Sequence, residues 1–195
     1  MRYAEIERKT GETDIKLALC LDGEGKSEIE TGCGFLDHML TLFAKHSRFN
    51  LDVKCVGDVD VDYHHTVEDI GIALGSAFSK ALLDKGGITR YADTTLPMDE
   101  ALVLSAVDVS GRSYLSYNVT LPTAQVGDFD TELVEEFWLA FVREARVTLH
   151  INMLSGKNSH HIIEGIFKSC ARTLRFATRI DAELDGEVLS TKGVI

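Results

Sequence analysis

Residues 64–74 read HHTVEDIGIAL, and residues 160–170 read HHIIEGIFKSC. Both segments open with a His-His pair, place a glutamate three residues after the second histidine and continue with apolar residues at helical spacing. The two segments start at positions 64 and 160, in different halves of the chain. A repeat of this kind indicates that the chain contains two copies of one structural unit.

The segments upstream of the two histidine pairs correspond as well. Residues 36–43 and 134–141 both show helical apolar spacing, and residues 14–23 and 100–111 both alternate like strands before an Asp/Gly turn. Each half is therefore predicted to contain strand, strand, helix, strand and helix. The predicted elements are 13–21, 26–30, 34–46, 50–56 and 65–84 in the first half, and 101–109, 113–119, 131–146, 147–153 and 160–180 in the second.

This order of elements predicts an α+β fold made of internally duplicated half-domains. Two helices on one face of a small sheet leave an apolar helical face uncovered, so we expect the helices of both halves to pack between the two sheets. A Lys85-Gly86-Gly87 segment is a natural joint. The chain is predicted to be a single domain, residues 1–195, built from two repeats of about 1–86 and 87–195.

Composition excludes several classes of protein. A chain of 195 residues with 45% hydrophobic residues can bury a core without disulfides, and its apolar runs are too short to span a membrane. A net charge of −11 without a basic stripe argues against a nucleic-acid partner. The N-terminal segment lacks an apolar signal core, and Cys20, Cys33, Cys55 and Cys170 show no close pairing. We therefore expect a cytoplasmic protein with no membrane or nucleic-acid partner.

The repeated histidines and glutamates are typical of a metal site. On a helix, Glu68 shares a face with the pair His64 and His65, just as Glu164 does with His160 and His161. Imidazole nitrogens with carboxylate oxygens suit Mn, Fe, Zn or Ni, and adjacent histidines can point to two different metals. His38 adds a further candidate, whereas His46 and His150 lack repeated companions and are interpreted as structural.

Six motifs, in this order, carry a resemblance to a known family. They are Gly34-Phe-Leu-Asp-His38-Met-Leu, Asp62-Tyr-His64-His65-Thr-Val-Glu68-Asp, Pro97-Met-Asp-Glu-Ala-Leu, Asp108-Val-Ser-Gly-Arg112, Gly156-Lys-Asn-Ser-His160-His161-Ile-Ile-Glu164 and Ser190-Thr-Lys192-Gly. From Glu12 to Lys192 the chain resembles imidazoleglycerol-phosphate dehydratase of histidine biosynthesis. The resemblance implies a fold like the second domain of ribosomal protein S5 and a homo-oligomer of 24 subunits built from trimers.

The resemblance also implies two Mn²⁺ ions per active site. The family's metal ligands fall on His38, His64, His65, Glu68, Glu136, His160, His161 and Glu164. Glu136 stands where some members have histidine, which leaves metal affinity and preference open. Repeat symmetry suggests that one metal takes His38, His65, Glu68 and a histidine of the second pair. The other would take Glu136, His161 or His160, Glu164 and a histidine of the first pair.

The implied reaction removes water from D-erythro-imidazole glycerol phosphate and gives imidazole acetol phosphate. It would proceed through a di-manganese-bound imidazolate and a diazafulvene-like intermediate, because no carbonyl stands beside the departing proton. The implied catalytic residues are Glu12 as general acid/base, with His65, Glu68, His161 and Glu164. The implied substrate- and phosphate-binding residues are Glu12, His38, Arg90, Arg112, Lys168, Ser190 and Lys192.

Two other functions remain open at this point. Paired metals with phosphate-binding cations also serve a dimetal phosphatase or another hydrolase, although the ligand set here is rich in imidazole. A non-catalytic metal-binding assembly protein would use the same ligands, but it would leave the arginines and lysines without a role.

Overall fold

Each half of the chain folds into one four-stranded sheet with two helices on one face. The computed structural model describes residues 1–193 and 195. The first half contains β1 (Tyr3–Lys9), β2 (Thr13–Cys20), β3 (Ser27–Glu30), α1 (Gly34–Ser47), β4 (Asn50–Gly57) and α2 (His64–Ala81). The second half contains β5 (Tyr91–Met98), β6 (Ala101–Asp108), β7 (Tyr114–Asn118), β8 (Gln125–Val126), β9 (Phe129–Asp130), α3 (Leu133–Ala145), β10 (Thr148–Ser155) and α4 (Ser159–Ala177).

The two sheets share one topology. Their strand orders are β1-β2-β4-β3 and β5-β6-β10-β7. In both, the last strand pairs in parallel with its neighbour, β3 with β4 and β7 with β10, and the remaining pairs are antiparallel. This equivalence confirms the predicted α+β duplication.

Each sheet has one edge strand more than the sequence predicted. In β1 only Ala4 is buried, and every exposed position except Tyr3 carries a charge, so the strand lacks a strong apolar pattern. Strand β5 contains Pro97, which an edge strand tolerates because one side of its backbone needs no partner. The prediction of two strands before the first helix of each half was therefore wrong by one strand. The small β8-β9 hairpin was also missed.

The four helices lie between the two sheets, as predicted. Helix α2 packs on β1 and β2, α4 packs on β5 and β6, and the halves meet where α1 contacts α4 and α2 contacts α3. Aromatic side chains fill this central layer, with the fully buried Trp138 ring centroid 5.2–6.3 Å from those of Phe43, Phe137, Phe141 and Phe167. One continuous core therefore joins the two repeats.

Two glycines allow α2 and α3 to touch backbone to backbone. A Cβ atom added at Gly71 would lie 2.7 Å from the carbonyl oxygen of Phe137, and one added at Gly75 would lie 2.4 Å from that of Phe141. Real side chains do not fit at such distances. The spacing of these two helices therefore depends on glycine at both positions.

The cysteines and the helices were the basis for expecting free thiols and no membrane partner. All four cysteines are buried and free. Among residues 1–193 and 195, none of the helices combines the length and apolarity needed to cross a bilayer.

Candidate metal centre

Helices α1 and α4 bring three predicted metal ligands together. His160 and Glu164 lie one turn apart on α4, and the packing of α1 against α4 adds His38. His38 Nε2 lies 2.8 Å from Glu164 Oε1, and His160 Nε2 lies 3.2 Å from the same oxygen. One ligand atom from each residue lies within 4.8 Å of the other two, and this is the only such set of three or more in the part of the chain that the structure describes.

The carboxylate of this cluster is held ionised. The side chain of Glu164 is only 8% exposed, and burial alone would raise its pKa. Hydrogen bonds from Lys168, His38 and His160 outweigh burial and lower the pKa of Glu164 to about 2. An ionised glutamate beside two imidazole nitrogens is a donor set that suits Mn²⁺, Fe²⁺ or Zn²⁺.

The equivalent set in the other pair of helices does not close within one chain. Glu136 on α3 is partly buried, and neither its carboxylate nor the His64 ring has a hydrogen-bond partner among the described residues. Glu68 is paired instead with Arg143, whose Nη2 lies 3.3 Å from Glu68 Oε1. The two pairs of helices thus differ, although the sequence repeat made them equivalent.

The structure groups His38 differently from the partition that repeat symmetry suggested. That partition placed His38 with His65 and Glu68, and it placed Glu164 with the other metal. Within one chain His38 instead meets Glu164, because α1 packs on α4 of the other half and not on α2 of its own. Sequence symmetry alone does not reveal which helices are in contact.

His65 and Glu12 lie together at a second position. His65 Nε2 is 3.6 Å from Glu12 Oε1, and its Nδ1 is 2.9 Å from Asp58 Oδ2. The hydrogen bond with Asp58 and the negative charge of Glu12 raise the pKa of His65, against a smaller lowering by desolvation. The predicted acid/base thus faces a predicted metal ligand.

His161 has the matching arrangement in the second half. Its Nδ1 lies 2.8 Å from Glu100 Oε2, and its Nε2 lies 3.9 Å from Asp99 Oδ2. The hydrogen bond raises the pKa of His161 and lowers the pKa of Glu100 to about 2, with further help for Glu100 from the backbone amides of Lys157 and Asn158. His161 does not join the cluster formed by His38, His160 and Glu164.

The predicted phosphate-binding residues lie in two separate regions of the chain. Arg90 donates two hydrogen bonds to Asp108, at 2.8 and 3.2 Å, and one to the Leu189 carbonyl in the C-terminal tail. Arg112 is largely exposed, 3.5 Å from Asp108, and Ser190 and Lys192 follow Leu189 in the tail. Lys168 lies elsewhere, paired with Glu164 and 3.5 Å from Met98 Sδ.

The length of strand β6 gives the distance between the candidate metal ligand His161 and the candidate phosphate-binding residue Arg90. Its first residue, Ala101, follows Glu100, the partner of His161, and its last residue, Asp108, holds Arg90. Seven steps at about 3.4 Å place these ends about 24 Å apart. A single small substrate cannot reach both ends of the strand within one chain.

Comparison with known proteins decides the family. The family model described as imidazoleglycerol-phosphate dehydratase matches residues 31–174. An imidazoleglycerol-phosphate dehydratase from Oceanobacillus iheyensis is 60% identical over 193 residues, which cover 99% of this chain and 99% of that protein. The chain belongs to the imidazoleglycerol-phosphate dehydratase family. A relative of the same name from Pelobacter propionicus is 56% identical over 194 residues, covering 100% of this chain and 99% of the relative.

Solved structures of dehydratases in this family share the fold. The crystal structure from Staphylococcus aureus has a TM-score of 0.85 and 43% identity, covering 92% of this chain and 99% of that one. The structure from Pyrococcus furiosus has a TM-score of 0.85 and 39% identity, covering 97% and 100%. These matches confirm the predicted family and the predicted enzyme class, a dehydratase of the hydro-lyase type.

Sequence reasoning missed three carboxylates at these positions. Asp58 and Glu100 contact the Nδ1 atoms of His65 and His161, and Asp108 holds Arg90. Glu100 and Asp108 were inside motifs of the dehydratase resemblance but received no role. The signal that could have found Glu100 is its place in the β5-β6 turn, equivalent to the turn that contains Glu12.

Proposed function

We propose that the protein dehydrates D-erythro-imidazole glycerol phosphate to imidazole acetol phosphate in histidine biosynthesis, with two Mn²⁺ ions per active site. The convergence of His38, His160 and Glu164 within 4.8 Å is the observation that carries the proposal. It brings candidate metal ligands from both halves of the chain to one point, which supports a metal-dependent reaction.

The remaining predicted ligands complete the proposed metal sites. His64, His65, Glu68, Glu136 and His161 supply further nitrogen and oxygen donors of the same kind. When bound, the ions supply Lewis acidity to the imidazole ring of the substrate. The partly exposed His65 and His161 side chains are accessible to a ligand that approaches from outside the chain.

Glu12 is the proposed general acid/base. Its side chain is 53% exposed, and it lies in the turn between β1 and β2, 3.6 Å from the imidazole Nε2 of His65. A carboxylate that is free to contact substrate beside a metal ligand can accept a proton from carbon and return one to the departing hydroxyl. This exposed position beside His65 supports the proposed role of Glu12.

The basic residues are proposed to bind the phosphate group. Arginine can donate two parallel hydrogen bonds to phosphate, and lysine contributes a compact positive charge. Arg90 donates hydrogen bonds to Asp108 and to the Leu189 carbonyl in the tail that carries Ser190 and Lys192. The side chain of Arg112 is 66% exposed and so accessible to a ligand. Lys168 would add its charge from the side of Glu164.

The separation of about 24 Å along β6 supports an active site shared between subunits. The proposed homo-oligomer of 24 subunits built from trimers would provide such contacts. Metal ligands from one subunit would meet phosphate-binding residues from another. The unpartnered Glu136 and His64 would likewise find their metal at a contact between subunits.

A turnover assay with a parallel phosphate assay tests the proposed function. Purified protein with Mn²⁺ and imidazole glycerol phosphate is expected to form the keto product, measured by absorbance of its enolised form. No inorganic phosphate should be released. Phosphate release without keto product would indicate a phosphatase, and metal binding with neither product would indicate a metal-binding assembly protein.

Metal removal is expected to dissociate the assembly. If ligands from different subunits share an ion, binding is coupled to association by mass action. Light scattering should show a fall in particle mass after EDTA treatment and recovery when Mn²⁺ returns. A mass that stays constant through both steps would show that the metals do not join subunits.

Acid should weaken Mn²⁺ binding. Histidine binds metal only when neutral, and the carboxylates raise the pKa of His65 and His161 above the usual value of about 6.5. Protons therefore compete with the metal over a higher pH range than at ordinary histidines. Mn²⁺ affinity should be high at pH 8 and low at pH 5, and equal affinity at both would contradict the ligand assignment.

We also propose that residues 1–195 act as one domain of two repeats, about 1–86 and 87–195, in the cytoplasm. The shared helical core supports the single domain, since neither half covers its helices alone. The four buried, free cysteines support a reducing compartment.

A further inference from the structure

The second histidine of each pair has a carboxylate at its Nδ1 atom. Asp58 Oδ2 lies 2.9 Å from Nδ1 of His65, and Glu100 Oε2 lies 2.8 Å from Nδ1 of His161. An ionised carboxylate can only accept hydrogen bonds, so each Nδ1 must be the atom that carries the proton. The lone pair of each neutral ring is then left on Nε2.

The two halves reach this contact by different routes. Asp58 is the first residue of the loop that joins β4 to α2, the helix that carries His65. Glu100 lies in the β5-β6 turn, 61 residues before His161 in sequence. In the first half the equivalent hairpin turn holds Glu12, which approaches Nε2 of His65 instead. The same contact made from non-equivalent positions is not a by-product of the duplication.

We propose that Asp58 and Glu100 are positioning residues, which hold His65 and His161 as Nδ1–H tautomers so that each Nε2 is free to bind metal. The inference rests on the proposed function, since it assumes that these histidines are ligands. Neither carboxylate needs to touch substrate or metal for this role. A hydrogen bond to the second nitrogen of a metal-binding histidine fixes both tautomer and ring orientation.

The surroundings of the two carboxylates fit this role. Asp58 Oδ1 is buried and has no hydrogen-bond partner among the described residues. The hydrogen bond between Asp58 Oδ2 and His65 therefore offsets the free-energy cost of removing this carboxylate from water. Glu100 Oε1 accepts hydrogen bonds from the backbone amides of Lys157 and Asn158, at 3.1 and 2.8 Å. These two bonds fix the other oxygen, Oε2, toward His161.

The variant Glu100→Gln separates positioning from a structural role. The amide oxygen of glutamine can still accept from Lys157 and Asn158, which leaves its NH₂ group facing Nδ1 of His161. An NH₂ group donates, so Nδ1 must become the acceptor and the proton must move to Nε2. The loop before α4 stays in place while the tautomer of His161 reverses.

The tautomer is measured directly by ¹⁵N NMR of metal-free protein labelled at histidine, with the His161 signals assigned by difference against His161→Ala. The starting protein should show His161 protonated at Nδ1, and Glu100→Gln should show it protonated at Nε2. An unchanged tautomer in Glu100→Gln, with the loop amides still protected from exchange, would overturn the proposal.

Manganese affinity provides the second measurement. Glu100→Gln and Asp58→Asn should each weaken Mn²⁺ binding about 10- to 100-fold, measured by electron paramagnetic resonance of the free ion. Asp62→Asn is the matched control for Asp58→Asn, because Asp62 adds negative charge near His65 but its side chain accepts from the backbone N–H of His64. Equal loss in Asp62→Asn and Asp58→Asn would show a general charge effect and overturn the proposal for Asp58.

These readouts distinguish failure of this inference from failure of the proposed function. The tautomer of His161 is measured without metal or substrate. A reversed tautomer with unchanged Mn²⁺ affinity would refute the ligand role of His161 and with it the positioning role. Absence of turnover in the starting protein, with tautomer and affinity behaving as expected, would refute only the dehydration.

Discussion

His38→Ala is expected to lower turnover about a thousand-fold and to reduce the bound Mn²⁺. The substitution removes one of the three proposed metal ligands that the structure brings together on α1 and α4. Metal ions contribute several kcal/mol to the stabilisation of charge in a transition state, and each 1.36 kcal/mol corresponds to a tenfold change in rate. Turnover with Mn²⁺ and metal content by mass spectrometry are the two measurements.

His150→Ala provides the control for this substitution. His150 is an exposed histidine on β10, outside the cluster, and we interpret it as structural. The side chain of His38 is itself half-exposed, so neither variant should disturb the core. Normal turnover and full metal content in His38→Ala would refute the ligand role of His38.

Gly75→Ala is expected to destabilise the fold by about 2 kcal/mol, although alanine is the better helix former. The gain in helix propensity is at most about 1 kcal/mol. Against it, the new Cβ would lie 2.4 Å from the carbonyl oxygen of Phe141 and 3.0 Å from the amide nitrogen of Ala145. Both are backbone atoms, so relief requires α2 and α3 to move apart. We therefore expect an overpacking cost at the upper end of the usual range, about 3 kcal/mol, which leaves a net loss of about 2 kcal/mol.

Thermal unfolding at fixed protein and metal concentration measures the effect of Gly75→Ala. For a chain of this size, about 2 kcal/mol corresponds to a decrease in Tm of about 4–8 °C. Gly34→Ala is the matched control, since a Cβ there meets nothing within 4 Å, and its Tm should stay within about 2 °C. A Tm for Gly75→Ala equal to or above that of the starting protein would contradict the close contact of the helices.

The duplication and the α+β class could be predicted because both depend on local patterns. The repeated His-His pairs at 64 and 160 precede helices, and strands such as β6 alternate buried and partly exposed residues clearly. The edge strands could not be predicted in the same way. Most of β1 faces solvent, and Pro97 in β5 is an unfavourable strand residue in any position except an edge.

The candidate site was predictable in its residue types but not in its grouping. Helical spacing predicts that Glu164 and His160 share a face, but His38 joins them only through the packing of α1 on α4. Glu100 reaches His161 across 61 residues of sequence. Contacts of this kind depend on the arrangement of whole elements, which no local pattern contains.

The glycine contact between α2 and α3 bears on the origin of the duplication. A pseudo-twofold axis that exchanges the halves would superpose α2 on α4, and the positions equivalent to Gly71 and Gly75 are Phe167 and Ala171. The ring centroid of Phe167 lies 5.2 Å from that of Phe137. Helix α2 therefore contacts its neighbour α3 through backbone atoms, whereas the equivalent helix α4 contributes an aromatic ring to the shared core. A dimer of two first halves would have glycine at both equivalent positions, and the space that the Phe167 ring fills would be empty in each copy. A dimer of two second halves would have a phenylalanine ring at both positions. If the chain descends from a symmetric dimer of one half, its two halves have since become complementary parts that can no longer replace each other.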